Sequence, residues 1–557
     1  MRKLPWIALV FALAVLVTWP GPFGEQALGH PSGDMPDHLW GTWWFARELL
    51  TGHLPLRTTL THLPDGGALW HPDPLGALLA TPLQAFGPVR AWNALLLLQT
   101  FAAGLVAWFM GREVSGSALG GLASAVAVSA SPYLLGLMHS GLSEYTGLFA
   151  PTLFLWTLIR AWRGRSPAWL PGLALAICTW QAFSYGVFGG LLALSLCLHP
   201  QWRDRLRVLA VALGVWALLA LPVMAIAWTT LTDPDPAFTA AQAPGWSFHS
   251  LPATDLHSWL RPGDWVHPDT PALGNPGILH VNYLGWSTLL LAGVGLWRRP
   301  ELRAELGRGG AAFALISLGP VLSWNRAVPR LGAIPLLLPF ALLYLPGSPF
   351  HFVHHPYRIA AFLVPLLALF AAAGISALPR VVQALAPLLL LGELLLASAA
   401  PWPLLTAPVS APSVLYAEGV PTEGAILDLP PDASTANRAY LLAQTVHGRT
   451  IAYGVNSFVP EQLLVDPLVN EAVLALDDPE ARARNRDVPA FDFVVPSPAP
   501  GASRLGDWGV SVVLLHTDRC GAEEAERLEA LLRRRLGEPV AERDGVLAFE
   551  VAQVPIR

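Results

Sequence analysis

Apolar runs of about 17–25 residues dominate this sequence, and that is the length at which an α-helix crosses the hydrocarbon core of a bilayer. Such runs leave the chain few options. Lipid offers no hydrogen-bond partners, so each run must satisfy its own backbone as a helix. The runs place spans near 4–20, 90–110, 117–137, 143–161, 168–181, 185–199, 206–229, 279–297, 309–323, 357–377 and 382–400. Composition agrees: of 557 residues, 53% are hydrophobic and 13% charged, with mean hydropathy +0.46. A soluble domain carries about 25% charged residues. The expected fold is an α-helical integral membrane protein of about eleven transmembrane helices. The first run, behind Arg2-Lys3, can also be read as a signal peptide with Ala27-Leu28-Gly29 as a loose cleavage site. A retained helix is preferred, because many spans follow.

The segments between spans are unequal. Long polar loops at 21–89, 230–278 and 324–356 alternate with short turns. The short turns hold most of the arginines, among them Arg160, Arg163, Arg165, Arg203, Arg205, Arg207, Arg298, Arg299, Arg303 and Arg308. The long loops are poor in arginine for their length. By the positive-inside rule the N-terminus is cytoplasmic and the long loops lie outside. Residues 401–412, rich in proline, read as a linker from the membrane domain (1–400) to an outside soluble domain (401–557). That domain reads as α/β. Residues 425–429 and 510–515 suit buried strands, 523–536 a helix, and Asp544-Gly545 a hairpin turn.

Some functions are excluded. A net charge of -5 gives no case for nucleic acid. Cys178, Cys197 and Cys520 have no metal-ligand spacing, so structural zinc is not expected. The chemistry is expected at the outer surface, where the irregular backbone lies. In the first loop, Asp34 and Asp37 precede an aromatic helix at 38–51 carrying Trp40, Trp43, Trp44 and Phe45. A carboxylate at the membrane boundary loses hydration and becomes a better proton acceptor. The structural alternative for Asp37 is an N-cap; for His38 it is packing beside the helix. Asp65 lies in a Pro-Asp-Gly turn that shapes the same loop. Glu144, with His139, occupies a short outside turn, and a carboxylate at the head of an apolar run either caps it or faces a cavity. Gln181, in the next outside turn, would line that space. His355, Tyr357 and Arg358 precede a late span. The arginine there either binds phosphate or snorkels to the interface.

These motifs together resemble the polytopic membrane glycosyltransferases of the C type, which use lipid-linked sugars. The resemblance rests on the Gly-Asp-x-x-Asp-x-x-Trp segment at 33–40, the turn at 64–66 and the Pro-Tyr-Arg at 356–358, in that order. It covers most of 1–400. One departure is Asp37-His38, where many members carry Asp-Glu. The resemblance implies transfer of a hexosyl or pentosyl group from a polyprenyl-phosphate sugar to a glycan, lipid or protein acceptor. The reaction would take place at the outer face of the bacterial cytoplasmic membrane. It implies Asp37 as general base with Asp34 as helper or substitute, and Arg358 on the leaving phosphate. Glu144 would orient the acceptor or bind a divalent metal, Mg or Mn. Residues His139, Tyr357, His355, His38, Asp65 and Gln181 would line the substrate site. The alternative is a non-enzymatic membrane protein, such as a lipid-handling transporter or an assembly subunit.

Overall fold

The computed structural model describes residues 3–233, 254–263, 277–325, 327–332, 334–344, 356–431, 436–454, 459–479 and 495–552. Each expected span falls on helix. The membrane-region helices are α1 (Leu4–Val17), α2 (Met35–Leu50), α3 (Pro74–Ala80), α4 (Pro88–Ser115), α5 (Ala118–Ser129), α6 (Pro132–Ser140), α7 (Ser143–Thr146) and α8 (Phe149–Trp162). They continue with α9 (Leu170–Gln181), α10 (Phe183–Leu196), α11 (Trp202–Leu231), α12 (Trp286–Arg298), α13 (Arg308–Ser317), α14 (Ala360–Ser376) and α15 (Arg380–Leu396). Among the described residues, four helical stretches are long and apolar enough to cross a membrane: Pro88–Ser115, Ala118–Ser140, Trp202–Thr230 and Pro356–Ser376.

Two expected spans are interrupted. The run at 117–137 breaks before Pro132, whose ring suits a first helical turn, and Ser131 Oγ accepts from the Leu134 amide to cap α6. The run at 143–161 breaks at Gly147, which leaves Glu144 on the single-turn helix α7.

The chain divides into two compact units. The first comprises Met1–Met35, Pro72–Ala225 and Ala243–Ala407. Its helices approach closely at small residues, as bilayer helices do. A Cβ on Gly295 of α12 would lie 2.1 Å from the Phe370 carbonyl oxygen of α14, and one on Gly374 2.0 Å from that of Leu291. Leu218 and Leu221 on α11, Leu290 on α12 and Leu388, Leu389 and Leu396 on α15 are exposed. A row of large apolar side chains without protein cover is what a lipid-facing surface requires. The segment read as a free linker is tied down. Thr406–Ala407 pairs antiparallel with Ala27–Leu28, and Trp402 Nε1 donates to the Leu16 carbonyl at 3.0 Å.

The second unit joins Pro36–His71 and Ile226–Gln242 to Pro408–Arg557. Its sheet has four strands: β1 (Ala425–Leu429), β2 (Val510–His516), β3 (Ala541–Arg543) and β4 (Val546–Glu550). Their order is β1-β2-β4-β3, with β1 and β2 parallel and the other pairs antiparallel. β1 and β2 are buried along their whole length, as their unbroken apolar runs require. Asp544 and Gly545 both have positive φ, 51° and 76°, the geometry of a primed hairpin turn. Helices α16 (Ala436–His447), α17 (Pro467–Leu474) and α18 (Ala522–Leu536) complete the unit. α18 buries Leu528, Leu531 and Leu532.

Candidate active site

In the first unit, the turn before α2 is held against the end of α6. The His30 amide donates to the His139 carbonyl at 2.8 Å, and the Asp34 amide to that of Ser140 at 2.7 Å. Gly33 permits the approach, since a Cβ there would lie 2.7 Å from the Ser140 oxygen. His139 is buried, with its ring 5.3 Å from that of His30. Burial lowers the pKa of His30, which favours the neutral imidazole. Asp34, half-buried, is thereby fixed within electrostatic reach of Tyr357.

Arg358 follows Tyr357 in the turn Pro356–Ile359. Its Nη1 donates to the Tyr145 hydroxyl at 2.9 Å, and its guanidinium lies 4.2 Å from the centre of that ring. Tyr133 donates to the Arg358 carbonyl at 3.1 Å and Tyr185 to that of Tyr145 at 2.6 Å, so the arginine sits in a tyrosine frame. The buried Glu144, next to Tyr145, is within the reach of its charge. The first unit thus groups Asp34, Glu144, Tyr357 and Arg358. His355 lies outside the described residues.

Gln181 ties two turns together. It is fully buried, and Nε2 donates to Asp73 Oδ1 at 3.0 Å, the Ser143 carbonyl at 3.3 Å and the Glu144 carbonyl at 3.4 Å. Asp73 Oδ1 also accepts from the Gly76 amide at 2.7 Å, capping α3. Gln181 therefore positions α7, and with it Glu144.

The second unit holds Asp37, His38 and Asp65. Asp37 is not the N-cap. Helix α2 begins at Met35, which puts Asp37 in its first turn, where the helix dipole favours a carboxylate. Its Oδ2 lies 3.3 Å from Nε of Arg438 on α16, and both side chains are 5% exposed. Arg438 was not foreseen. Nothing in a lone arginine of the C-terminal segment marks it as the partner of a first-loop acid.

The aromatic run of α2 packs within the second unit. Trp40 and Trp44 stack at 5.9 Å, fully buried in protein. Trp40 Nε1 donates to Gln444 Oε1 at 2.5 Å, Gln444 Nε2 to the Leu60 carbonyl at 2.6 Å, and Arg47 Nη1 to the Gly448 carbonyl at 3.1 Å. α2 and α16 therefore run side by side. His38 packs 6.3 Å from His71, and burial, with His38 beside it, pushes His71 well below the usual imidazole range. Asp65 is exposed at its turn, where Oδ2 accepts from Gln462 Nε2 at 2.8 Å.

The fold is similar to that of two solved glycosyltransferases. One is the arabinofuranosyltransferase AftD from Mycobacteria, at 14% identity and a TM-score of 0.49. The likeness covers 99% of this chain and 40% of that one, so this chain spans well under half of AftD. The other is the archaeal oligosaccharyltransferase AglB from Archaeoglobus fulgidus, at 10% identity and a TM-score of 0.40, covering 93% of this chain and 69% of that one. At these scores the likeness is one of fold alone. No family model matches the sequence, and no curated protein matches it.

Among the described residues, no three His, Cys, Asp or Glu side chains converge to hold an ion. Asp37, the acid that the resemblance puts first, faces a guanidinium.

Proposed function

We propose that the protein is a membrane glycosyltransferase. It moves a sugar from a polyprenyl-phosphate donor to an acceptor hydroxyl on a glycan, lipid or protein, at the outer face of the cytoplasmic membrane. The observation that carries this reading is the grouping of Asp34, Glu144, Tyr357 and Arg358 at the ends of apolar helices. Two acids and one arginine in one cluster suit a reaction that releases a proton and a phosphate together.

In the proposed step the acceptor oxygen attacks the anomeric carbon, and the bond from that carbon to the phosphate oxygen breaks. The hydroxyl proton passes to a carboxylate, and polyprenyl phosphate leaves. Arg358 neutralises the leaving phosphate, an interaction strengthened where water is scarce. Glu144 orients the acceptor. Direct displacement inverts the anomeric centre. The sequence put Asp37 first as the base. Its pairing with Arg438 moves the assignment to Asp34, because a guanidinium 3.3 Å away stabilises the carboxylate and weakens it as a proton acceptor.

The test measures release of polyprenyl phosphate from a panel of lipid-linked sugars by purified protein. Asp34→Asn should lower turnover at least about 100-fold, the low end for loss of a general base. Full turnover in Asp34→Asn, with loss in the folded Asp37→Asn/Arg438→Met variant, returns the base to Asp37. Absence of turnover with every donor favours a lipid-handling or assembly protein.

A further inference from the structure

A cavity lies among the arginine-rich turns of the first unit, on the face expected to be cytoplasmic. It has a volume of about 440 Å³ and is lined by Trp162, Arg163, His199, Asp204, Arg205 and Glu305 among others. Three separate turns meet there: the end of α8, the junction of α10 and α11, and the helical turn Arg303–Gly307.

The charges are arranged around Glu305. Its carboxylate accepts from Arg163 Nε at 3.0 Å and Nη2 at 2.5 Å. Its carbonyl accepts from Arg205 Nη1 at 3.0 Å, and the Leu196 carbonyl accepts from the same nitrogen at 2.5 Å. The Arg205 guanidinium lies over the Trp162 ring at 4.5 Å, and Arg205 is 4% exposed. Asp204, the other acid of the lining, pairs with Arg207 at 3.1 Å. Both carboxylates are therefore matched by other arginines. Arg205 spends its hydrogen bonds on two backbone oxygens, with the Glu305 carboxylate acting on its charge without a hydrogen bond, and among the described residues its Nε and Nη2 make no hydrogen bond.

A buried guanidinium with unspent donors calls for an anion, and its planar fork fits phosphate oxygens. The rim identifies the source. Leu198 and Trp202 beside the cavity are exposed, and they continue into the uncovered apolar face of α11. Tryptophan at that place marks the headgroup level of a bilayer. We propose that this cavity seats the phosphodiester headgroup of a membrane lipid, with its acyl chains along α11. Basic pockets between transmembrane helices on the cytoplasmic side are suited to that use.

Native mass spectrometry of the full chain in detergent tests this. The probes are dioctanoyl-phosphatidylglycerol, dioctanoylglycerol and inorganic phosphate. One phosphatidylglycerol should bind saturably, and dioctanoylglycerol should not. Arg163→Gln and Arg205→Lys should each weaken binding about tenfold, the scale of one charge-assisted hydrogen bond. Arg205→Lys keeps a charge for the two carbonyls, so the pair of variants guards against simple misfolding. Inorganic phosphate binding as tightly as the lipid, or lipid affinity unchanged in both folded variants, overturns the proposal.

Discussion

Asp34 and Asp37 stand three residues apart and meet different surroundings. Asp34 belongs with Tyr357 in the first unit, whereas Asp37 is buried against Arg438 in the second. Their candidacy was legible, because Gly33-Asp34 opens a polar stretch directly after an apolar run. Their difference was not, because it depends on an arginine from the far end of the chain. Burial of the Asp37–Arg438 pair predicts a large asymmetry. Asp37→Asn leaves a guanidinium in a dry site and should destabilise the protein by about 3–5 kcal/mol. Adding Arg438→Met removes that charge, and the double variant should recover most of the loss. Thermal unfolding of the three proteins in detergent measures this. Equal melting of Asp37→Asn and wild type would show that the pair is solvated in the working protein.

At the scale of elements, the helices were the most legible feature, since lipid allows an apolar run almost no alternative to helix. Interruptions were less so: the breaks at Pro132 and Gly147 lie within continuous apolar stretches. The packing of the aromatic helix α2 was not legible, for a physical reason. A row of tryptophans suits a membrane interface and a protein core equally, and only the contact with Gln444 on α16 decides. α16 ends at His447, which burial lowers from 6.5 to about 4, with Arg449 adding to the effect and Asp428 opposing it. The imidazole is therefore neutral in the folded state, and protonation favours unfolding. Its contribution is complete above pH 6.5 and lost as pH falls toward 4. The gap corresponds to at most about 3 kcal/mol. His71 is lowered in the same direction. Melting temperature should fall across this window in the wild type and fall less in His447→Gln. Parallel slopes would remove His447 as a sensor of acid.

At the scale of the whole molecule, the open question of sidedness turns on α9 and α10. α9 has 12 residues, about 18 Å of helix against a core of about 30 Å. A miscounted span would place the C-terminal region on the wrong side. However, the two helices act as one. Ala182 alone separates them. A Cβ on Gly186 would lie 2.4 Å from Thr179 Oγ1, and one on Gly189 2.5 Å from Leu175 Cδ1, so α10 folds straight back along α9. Such a hairpin either crosses and returns or dips and returns, and both leave the parity of the remaining spans unchanged. The positive-inside pattern then predicts the arginine-rich turns inside and the C-terminal sheet outside. Cysteine labelling in right-side-out membrane vesicles tests this. Cys178 and Cys197 are buried, so replacing Cys520 with serine leaves a quiet background. Glu301 and Glu542 are both exposed. In that background, Glu542→Cys should react with a membrane-impermeant maleimide in intact vesicles, and Glu301→Cys only after lysis. The reverse pattern would place the C-terminal sheet in the cytoplasm, and the proposed outer-face chemistry would fall with it.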